Sequence, residues 1–295
     1  MFMRILHFSD IHYWKIQLGP DPYYPKRFLG LMNLIFSRKN HFPAPLADTV
    51  VNAIAQENAD AVLFSGDLTT TSLESEFKKA SDAFAPLYKK WNDQLIVIPG
   101  NHDRYTPMSV RSMLYEKYFP NAFAGTEKRV FSKPLNDHLC VIGFDASRPF
   151  MVRSNGMLTK TLVEKLDQEF SRIKKTYNNV ILMGHFPYSY PANVPSKFHH
   201  KLIGEDLLKE LISKHNPIVY LHGHKHVRWC LKDPATRDTL CLNAGPAGMS
   251  STEPNKHAGW IIFDADDSGE ITEVIKVHLS SEGQPIRETV ELSEL

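Results

Sequence analysis

The chain has 295 residues, of which 42% are hydrophobic, so it can bury the core of one large α/β domain or two small ones. Its 34 basic and 33 acidic residues nearly balance, which argues against a global attraction to nucleic acid or to an anionic membrane. No stretch approaches the roughly 20 apolar residues of a membrane span. The N-terminus turns polar too early for a secretory signal, and the three cysteines lack CxxC spacing. We therefore expect a cytoplasmic protein.

Short apolar runs alternate with helical periodicity through the first two thirds of the chain. Runs bounded by Gly, Pro or Asp are typical of strands that are buried on both faces. The predicted strands cover residues 5–8, 61–64, 95–98, 139–144, 180–183 and 218–221. Periodicity predicts helices over residues 47–58, 73–90, 158–175 and 205–215.

The pattern changes after residue 226, where short strands follow one another without intervening helices. They are predicted over residues 227–231, 239–242, 260–263 and 271–279, with a turn-rich hairpin connection at 264–269. This order predicts an α/β fold with two central sheets. No linker or repeat divides the chain, so we expect a single domain over residues 1–295.

Five short segments bearing His, Asp or Asn occur in a fixed order, each where an apolar run ends. They are 8–12 (FSDIH), 65–68 (SGDL), 99–103 (PGNHD), 183–185 (MGH) and 222–226 (HGHKH). Residues two apart in an extended backbone face the same side, which applies to Asp10 with His12 and to His224 with His226. Strand ends that meet at one sheet edge could gather these oxygen and nitrogen ligands around metal ions. Such a mixed donor set suits Mn, Fe, Co, Ni or Zn.

The set of segments, from residue 10 to residue 226, resembles the calcineurin-like metallophosphoesterase superfamily. The resemblance implies a four-layer α/β/β/α sandwich with two central mixed β-sheets and a metal site at the C-terminal ends of the strands. It also implies two divalent metal ions. The ligands implied for one metal are Asp10, His12 and His226. Those implied for the other are Asn101, His185 and His224, and Asp67 would bridge the two metals.

The resemblance further implies a reaction in which a metal-bridging hydroxide attacks phosphorus in a phosphate-ester substrate. His102 would protonate the leaving group, and Asp103 either orients the His102 imidazole or is an ordinary turn residue. The third segment ends in Asp, and in this respect the sequence resembles the bacterial, cyclic-nucleotide phosphodiesterase-like branch of the superfamily. Arg104 and Arg148 could hold a phosphate oxygen, but they are outside the predicted catalytic set.

The connection over about residues 13–45 is unusually long for a compact domain and carries an excess of Lys and Arg around the apolar stretch 28–36. This insertion either forms a lid that contacts a membrane surface, or packs as an amphipathic helix on the core. Phosphodiester hydrolysis is the main prediction. The alternatives are hydrolysis of a lipid-linked diphosphate at the membrane, a phosphomonoesterase, and a non-catalytic metal-binding scaffold. A nucleic-acid partner is not expected.

Overall fold

The computed structural model describes residues 2–16, 30, 32, 39–120, 129–151, 153–195, 198–233, 236, 239–253 and 255–295. Its strands are β1 (Phe2–Phe8), β2 (Ala61–Phe64), β3 (Leu95–Val97), β4 (Val130–Pro134), β5 (Leu139–Phe144), β6 (Gly156–Met157), β7 (Asn179–Met183), β8 (Leu202–Ile203), β9 (Val219–His222), β10 (Arg228–Lys232), β11 (Leu240–Ala244), β12 (Gly259–Asp266), β13 (Ile271–Leu279) and β14 (Pro285–Thr289). Its helices are α1 (Lys39–His41), α2 (Ala44–Gln56), α3 (Glu74–Trp91), α4 (Pro107–Arg111), α5 (Leu114–Tyr118), α6 (Lys160–Ile173) and α7 (Glu205–His215). Short 3-10 turns occur at Asn92–Gln94, Phe198–His200 and Leu292–Glu294.

Two six-stranded mixed sheets form the centre of the molecule. The first has the order β14-β13-β12-β1-β2-β3, and the second has the order β10-β11-β9-β7-β5-β4. The apolar faces of α2 and α3 pack on the first sheet, and those of α6 and α7 pack on the second. The predicted four-layer α/β/β/α sandwich with two mixed sheets is confirmed.

Alternate residues of the second sheet belong to two different cores. Val141, Ile181 and Leu221 pack in the core shared with the first sheet. Ile142 and Leu182 pack in the core under α6 and α7. Because successive side chains of a strand point to opposite faces, a strand covered on both sides must be apolar at every position. This explains the continuous apolar runs in the sequence.

The parallel strands of each sheet direct their C-terminal ends to a common edge. In the first sheet β1, β2 and β3 are parallel, and in the second β5, β7 and β9 are parallel. All five predicted segments begin at the end of β1, β2, β3, β7 or β9. The chain therefore delivers the polar residues of five loops to one region.

Several elements were missing from the sequence prediction. Strand β14 pairs with β13, but each of its five residues is exposed, so it has no apolar pattern to detect. Strand β4 is also only partly buried. Most of the apolar stretch 28–36 lies outside the described residues, so the lid and the membrane contact stay predictions. The single-domain organisation also stays a prediction. No helix in the described part of the chain combines the length and apolar composition needed to cross a bilayer.

Candidate metal centre

Five of the seven predicted ligands have a backbone φ in the left-handed region. The values are 56° at Asp10, 54° at His12, 65° at Asp67, 72° at His224 and 51° at His226. This conformation is uncommon for residues other than glycine, and non-glycine outliers concentrate at functional sites. The loops accept this strain while aiming the side chains into one cleft.

The first group of potential ligands lies around Asp10. One ligand atom from each of Asp10, His12, Asp67 and His226 falls within 4.8 Å of all the others. The Nε2 atoms of His12 and His226 are 3.0 Å apart, and His226 Nε2 is 3.2 Å from Asp10 Oδ1. The structure therefore brings together the three residues predicted for one metal and the predicted bridge.

The second group lies on the other side of Asp67. Ligand atoms of Asp67, His185 and His224 also lie within 4.8 Å of one another. His185 Nε2 is 3.4 Å from Asp67 Oδ2 and 3.2 Å from Asn101 Oδ1. Asp67 Oδ2 is also 3.6 Å from His12 Nε2 in the first group. One carboxylate oxygen thus faces both groups.

Two observations show that these residues fit metal cations. Asp10 Oδ1 is buried and accepts no hydrogen bond among the described residues. Leaving a buried acceptor unpaired is costly, more so when it is charged. The imidazole nitrogens of His12 and His226 also point at one another across 3.0 Å. A cation among these atoms would satisfy the carboxylate oxygen and both nitrogens together, and a mixed oxygen and nitrogen set suits a borderline divalent ion.

Backbone carbonyls set which nitrogen three of the four ligand histidines present to the cleft. A carbonyl oxygen can only accept, so the imidazole nitrogen beside it must carry the proton. His12 and His185 thereby present Nε2, whereas His224 presents Nδ1. The three contacts are His12 Nδ1 to Thr69 O at 3.2 Å, His185 Nδ1 to Ser65 O at 2.8 Å, and His224 Nε2 to His200 O at 3.1 Å.

Burial and charge set the protonation states of the potential ligands, and one of them must lose a proton to bind a cation. Burial opposes ionisation of Asp10, but the imidazole of His226, whose Nε2 lies 3.2 Å from Asp10 Oδ1, lowers the pKa of this carboxyl below its usual value. Burial, together with the charge of His185, lowers the pKa of His224 well below its usual value, which keeps its imidazole neutral. Burial opposes a charge on His185, but Asp67 raises the pKa of that imidazole to about 9. A cation that binds His185 therefore displaces a proton.

His102 stands at the mouth of the cleft with its ring fixed in orientation. Its Nδ1 donates a hydrogen bond to Thr70 O at 2.6 Å, which leaves Nε2 for chemistry. The ring stacks on Tyr105, with ring centroids 5.5 Å apart, and meets the ring of His12 edge to face at 4.9 Å. The backbone N–H of His102 donates to Asp67 Oδ1 at 2.7 Å, so the ring is tied to the carboxylate between the two groups.

Asp103 supports the backbone of the site. Of the two roles considered for it, orienting the His102 imidazole finds no support in its hydrogen bonds, which go to the loops that follow β2 and β3. The two oxygens of Asp103 accept five hydrogen bonds of 2.9–3.1 Å. The donors are the N–H groups of Gly100, Asp67, Leu68 and Thr69 and the hydroxyl of Thr69. Burial and neighbouring Asp67 raise the pKa of Asp103 to about 7, while the five donors favour its ionised form. Asp103 therefore joins the loops that follow β2 and β3.

We expect Asp103→Ala to lower the free energy of unfolding by about 3 kcal/mol or more, because it leaves several buried donors unpaired. Urea unfolding of the two proteins would measure this difference. Asp266→Ala is the matched control, since Asp266 also accepts backbone N–H groups, from Ser268 and Glu270, but at the surface. An equal loss in both variants would show that Asp103 does not support the fold in this way.

Two further polar residues brace the last loop. His222 ends β9 and accepts from Asn243 Nδ2 at 3.0 Å. Asn243 Nδ2 also donates to Gly223 O at 2.7 Å. A Cβ on Gly223 would lie 2.4 Å from Asp10 Oδ2, so only glycine lets this loop approach the first.

Arg104 lies away from the cleft mouth. It is 4% exposed, and it pairs with Glu116 at 2.6 Å and with Asp145 at 3.1 Å. Arg148 donates to the carbonyl of Ser147 at 2.8 Å. The suggestion that Arg104 holds a phosphate oxygen is wrong, because its guanidinium is used by two carboxylates behind the site.

Comparison with known proteins agrees with this geometry. The calcineurin-like phosphoesterase model matches residues 3–228, and the chain belongs to this family of metal-dependent phosphoesterases. A probable cyclic nucleotide phosphodiesterase of Vesicomyosocius okutanii subsp. Calyptogena okutanii is 22% identical over 224 residues, which are 76% of this chain and 84% of the relative.

Solved structures show the same fold at low sequence identity. A dimetal phosphatase from Danio rerio is similar with a TM-score of 0.59 and 12% identity, over 98% of this chain and 99% of that protein. GAP50, the anchor in the inner membrane complex of Plasmodium, is similar with a TM-score of 0.51 and 10% identity, over 98% of this chain and 89% of that protein.

Proposed function

We propose that this protein is a dinuclear metal-dependent phosphohydrolase that acts on phosphodiesters. The observation that carries the proposal is Asp67 Oδ2, which lies 3.6 Å from His12 Nε2 and 3.4 Å from His185 Nε2. A single carboxylate shared by two ligand groups is the arrangement that holds two metal ions close together. The similarity to a probable cyclic nucleotide phosphodiesterase supports a diester substrate.

The proposed ligands divide into two sets around this carboxylate. Asp10, His12 and His226 would hold one ion, Asn101, His185 and His224 the other, and Asp67 both. The donors fit Mn, Fe, Co, Ni or Zn. When bound, two such ions lower the pKa of water and neutralise phosphate oxygens.

The remaining chemistry belongs to His102. Since Nδ1 is committed to Thr70 O, Nε2 is the nitrogen that would give a proton to the departing ester oxygen. The ring's contacts with Tyr105 and His12 hold Nε2 in place before substrate arrives. Pre-orientation of this kind lowers the entropic cost of proton transfer.

The test compares hydrolysis of bis(p-nitrophenyl) phosphate and p-nitrophenyl phosphate by metal-stripped protein with Mn²⁺ added back. We expect the diester to be turned over about tenfold faster or more. Both substrates release the same p-nitrophenolate, so this ratio reports the preference of the site for a phosphorus with two ester groups and does not depend on protonation of the leaving oxygen. Preference for the monoester would overturn the diesterase assignment in favour of a phosphomonoesterase. Absence of turnover of either ester with two metals bound would support the scaffold alternative.

A further inference from the structure

The insertion over about residues 13–45 touches the surroundings of His102 at Gly30, which is one of its described residues. A Cβ on Gly30 would lie 2.7 Å from the hydroxyl oxygen of Tyr105 and 3.1 Å from Cγ2 of Thr71. Tyr105 is 9% exposed, and in a close-packed interior a displacement on one side of a ring is transmitted to the other side. Gly30 therefore limits how far the Tyr105 ring extends toward the insertion.

Tyr105 is the residue that stacks on the imidazole of His102. The two ring planes are 17° apart, and their centroids are separated by 5.5 Å. Ser72 joins the same pair through the backbone, because its Oγ donates to His102 O at 2.6 Å and accepts from the N–H of Tyr105 at 2.9 Å. His102 in turn lines a cavity of about 550 Å³, which Asp67 and His224 also line. A shift of the Tyr105 ring would thus change the packing on one face of the imidazole in this cavity.

Thr71 connects the insertion to a second support of the His102 imidazole. Thr71 follows Thr70, whose carbonyl accepts from His102 Nδ1 at 2.6 Å. The buried carboxylate of Glu76 accepts from the N–H of Thr71 at 2.9 Å and from the N–H of Lys15, near the start of the insertion, at 3.3 Å. The insertion is therefore in contact with the stacked ring and with the loop whose carbonyl holds the imidazole.

We propose that the insertion positions the general acid: Gly30 seats the Tyr105 ring, and this ring holds His102 Nε2 beside the departing ester oxygen. This inference rests on the proposed phosphohydrolase function, and it makes Gly30 and Tyr105 positioning residues for the proton-transfer step. A displacement at Gly30 would alter proton transfer and leave the predicted metal ligands in place. The insertion thereby controls the hydrolysis of esters whose leaving oxygen needs a proton.

The test is a double-mutant cycle on kcat/KM for two esters. The leaving oxygen of 2′,3′-cyclic AMP is an alkoxide, whereas bis(p-nitrophenyl) phosphate releases p-nitrophenolate without a proton. Gly30→Ala should slow the cyclic nucleotide about tenfold, because the new methyl group meets the Tyr105 hydroxyl and displaces the ring from His102. The aryl ester should slow by less than about threefold. Tyr105→Phe removes the atom that the methyl group meets, so Gly30→Ala in that background should cost less than about threefold on the cyclic nucleotide.

Gly283→Ala is the matched control for a methyl group added to a glycine. Gly283 lies in the turn between β13 and β14, where its Cβ would lie 3.5 Å from Thr49 Cγ2, an ordinary contact distance. This variant should leave the ratio of the two kcat/KM values unchanged. Equal losses on both esters in Gly30→Ala, no loss on the cyclic nucleotide, or a loss that persists in the Tyr105→Phe background would each overturn the proposal.

NMR of the histidine rings in the Zn²⁺-loaded proteins gives a readout without turnover, with the His102 signals assigned by their absence from His102→Ala. Gly30→Ala should shift these signals, because the ring current of Tyr105 acts on the stacked imidazole. In the Tyr105→Phe background the same substitution should leave them in place. If the wild type hydrolyses neither ester, the phosphohydrolase function fails, while the NMR signals still decide whether Gly30 sets the position of the His102 ring.

Discussion

Asp67→Ala is expected to lose both metal ions and to reduce turnover by more than about a thousandfold. Asp67 is the only residue common to the two groups of potential ligands found among the described residues, and its Oδ2 faces a histidine from each. Removing it takes a negatively charged oxygen from both ions. Each divalent ion is then left with a set of mostly neutral ligands. Without the two metal ions the site would also lose the activated water that serves as nucleophile. Metal content by mass spectrometry and diester hydrolysis would measure the two losses.

His226→Ala is the matched comparison, because His226 lies in the first group alone. We expect this variant to lose one ion and to keep the second, held by Asp67, Asn101, His185 and His224. Circular dichroism would establish that both variants are folded. Two equivalents of metal in purified Asp67→Ala would contradict the bridging role, and loss of the same single ion from both variants would reduce Asp67 to an ordinary ligand of one metal.

The sheets of this protein could be predicted because burial on both faces leaves a clear pattern. Residues 61–64 and 139–144 were predicted as strands and are β2 and β5 with the same bounds. Edge strands could not be found in this way. Strand β14 is held by backbone hydrogen bonds to β13, and these place no demand on its side chains.

The candidate site could likewise be predicted from the sequence only in part. Side chains that would ligate a metal are restricted to a few residue types, so their positions were visible in the sequence, and the structure brings all seven of them together. The orientation of four of the imidazoles was not visible, because it depends on the carbonyl groups of Ser65, Thr69, Thr70 and His200. Every residue has a carbonyl, and only the fold decides which one meets a histidine.

Asp103 shows why neighbourhood in sequence misleads about contact. It follows His102 directly, so an orienting hydrogen bond to the imidazole was one of the two roles considered for it. The two side chains diverge in the turn after β3. Asp103 is only 1% exposed and its carboxylate points into the protein, whereas His102 is partly exposed and its ring faces the cleft. Thr70, 32 residues away in the chain, holds the ring.

His102→Ala is expected to slow hydrolysis more for substrates whose leaving oxygen is more basic. An alkoxide needs a proton in order to depart, so hydrolysis of a 2′,3′-cyclic nucleotide should slow by about a thousandfold, within the usual range for loss of a general acid. p-Nitrophenolate leaves without a proton, so hydrolysis of bis(p-nitrophenyl) phosphate should slow by only about tenfold. Metal content should stay the same, since no described contact places a His102 ring nitrogen in either ligand group.

The measurement is kcat/KM for both substrates in the wild type and in the variant. His138→Ala, which removes an exposed histidine between β4 and β5, controls for the loss of an imidazole and should change neither value. A ratio of effects near one hundred would identify His102 Nε2 as the proton donor, because only proton donation distinguishes the two leaving groups. Equal losses on both substrates would instead show that His102 stabilises the phosphate itself, and the proton would then have to come from another group in the cavity.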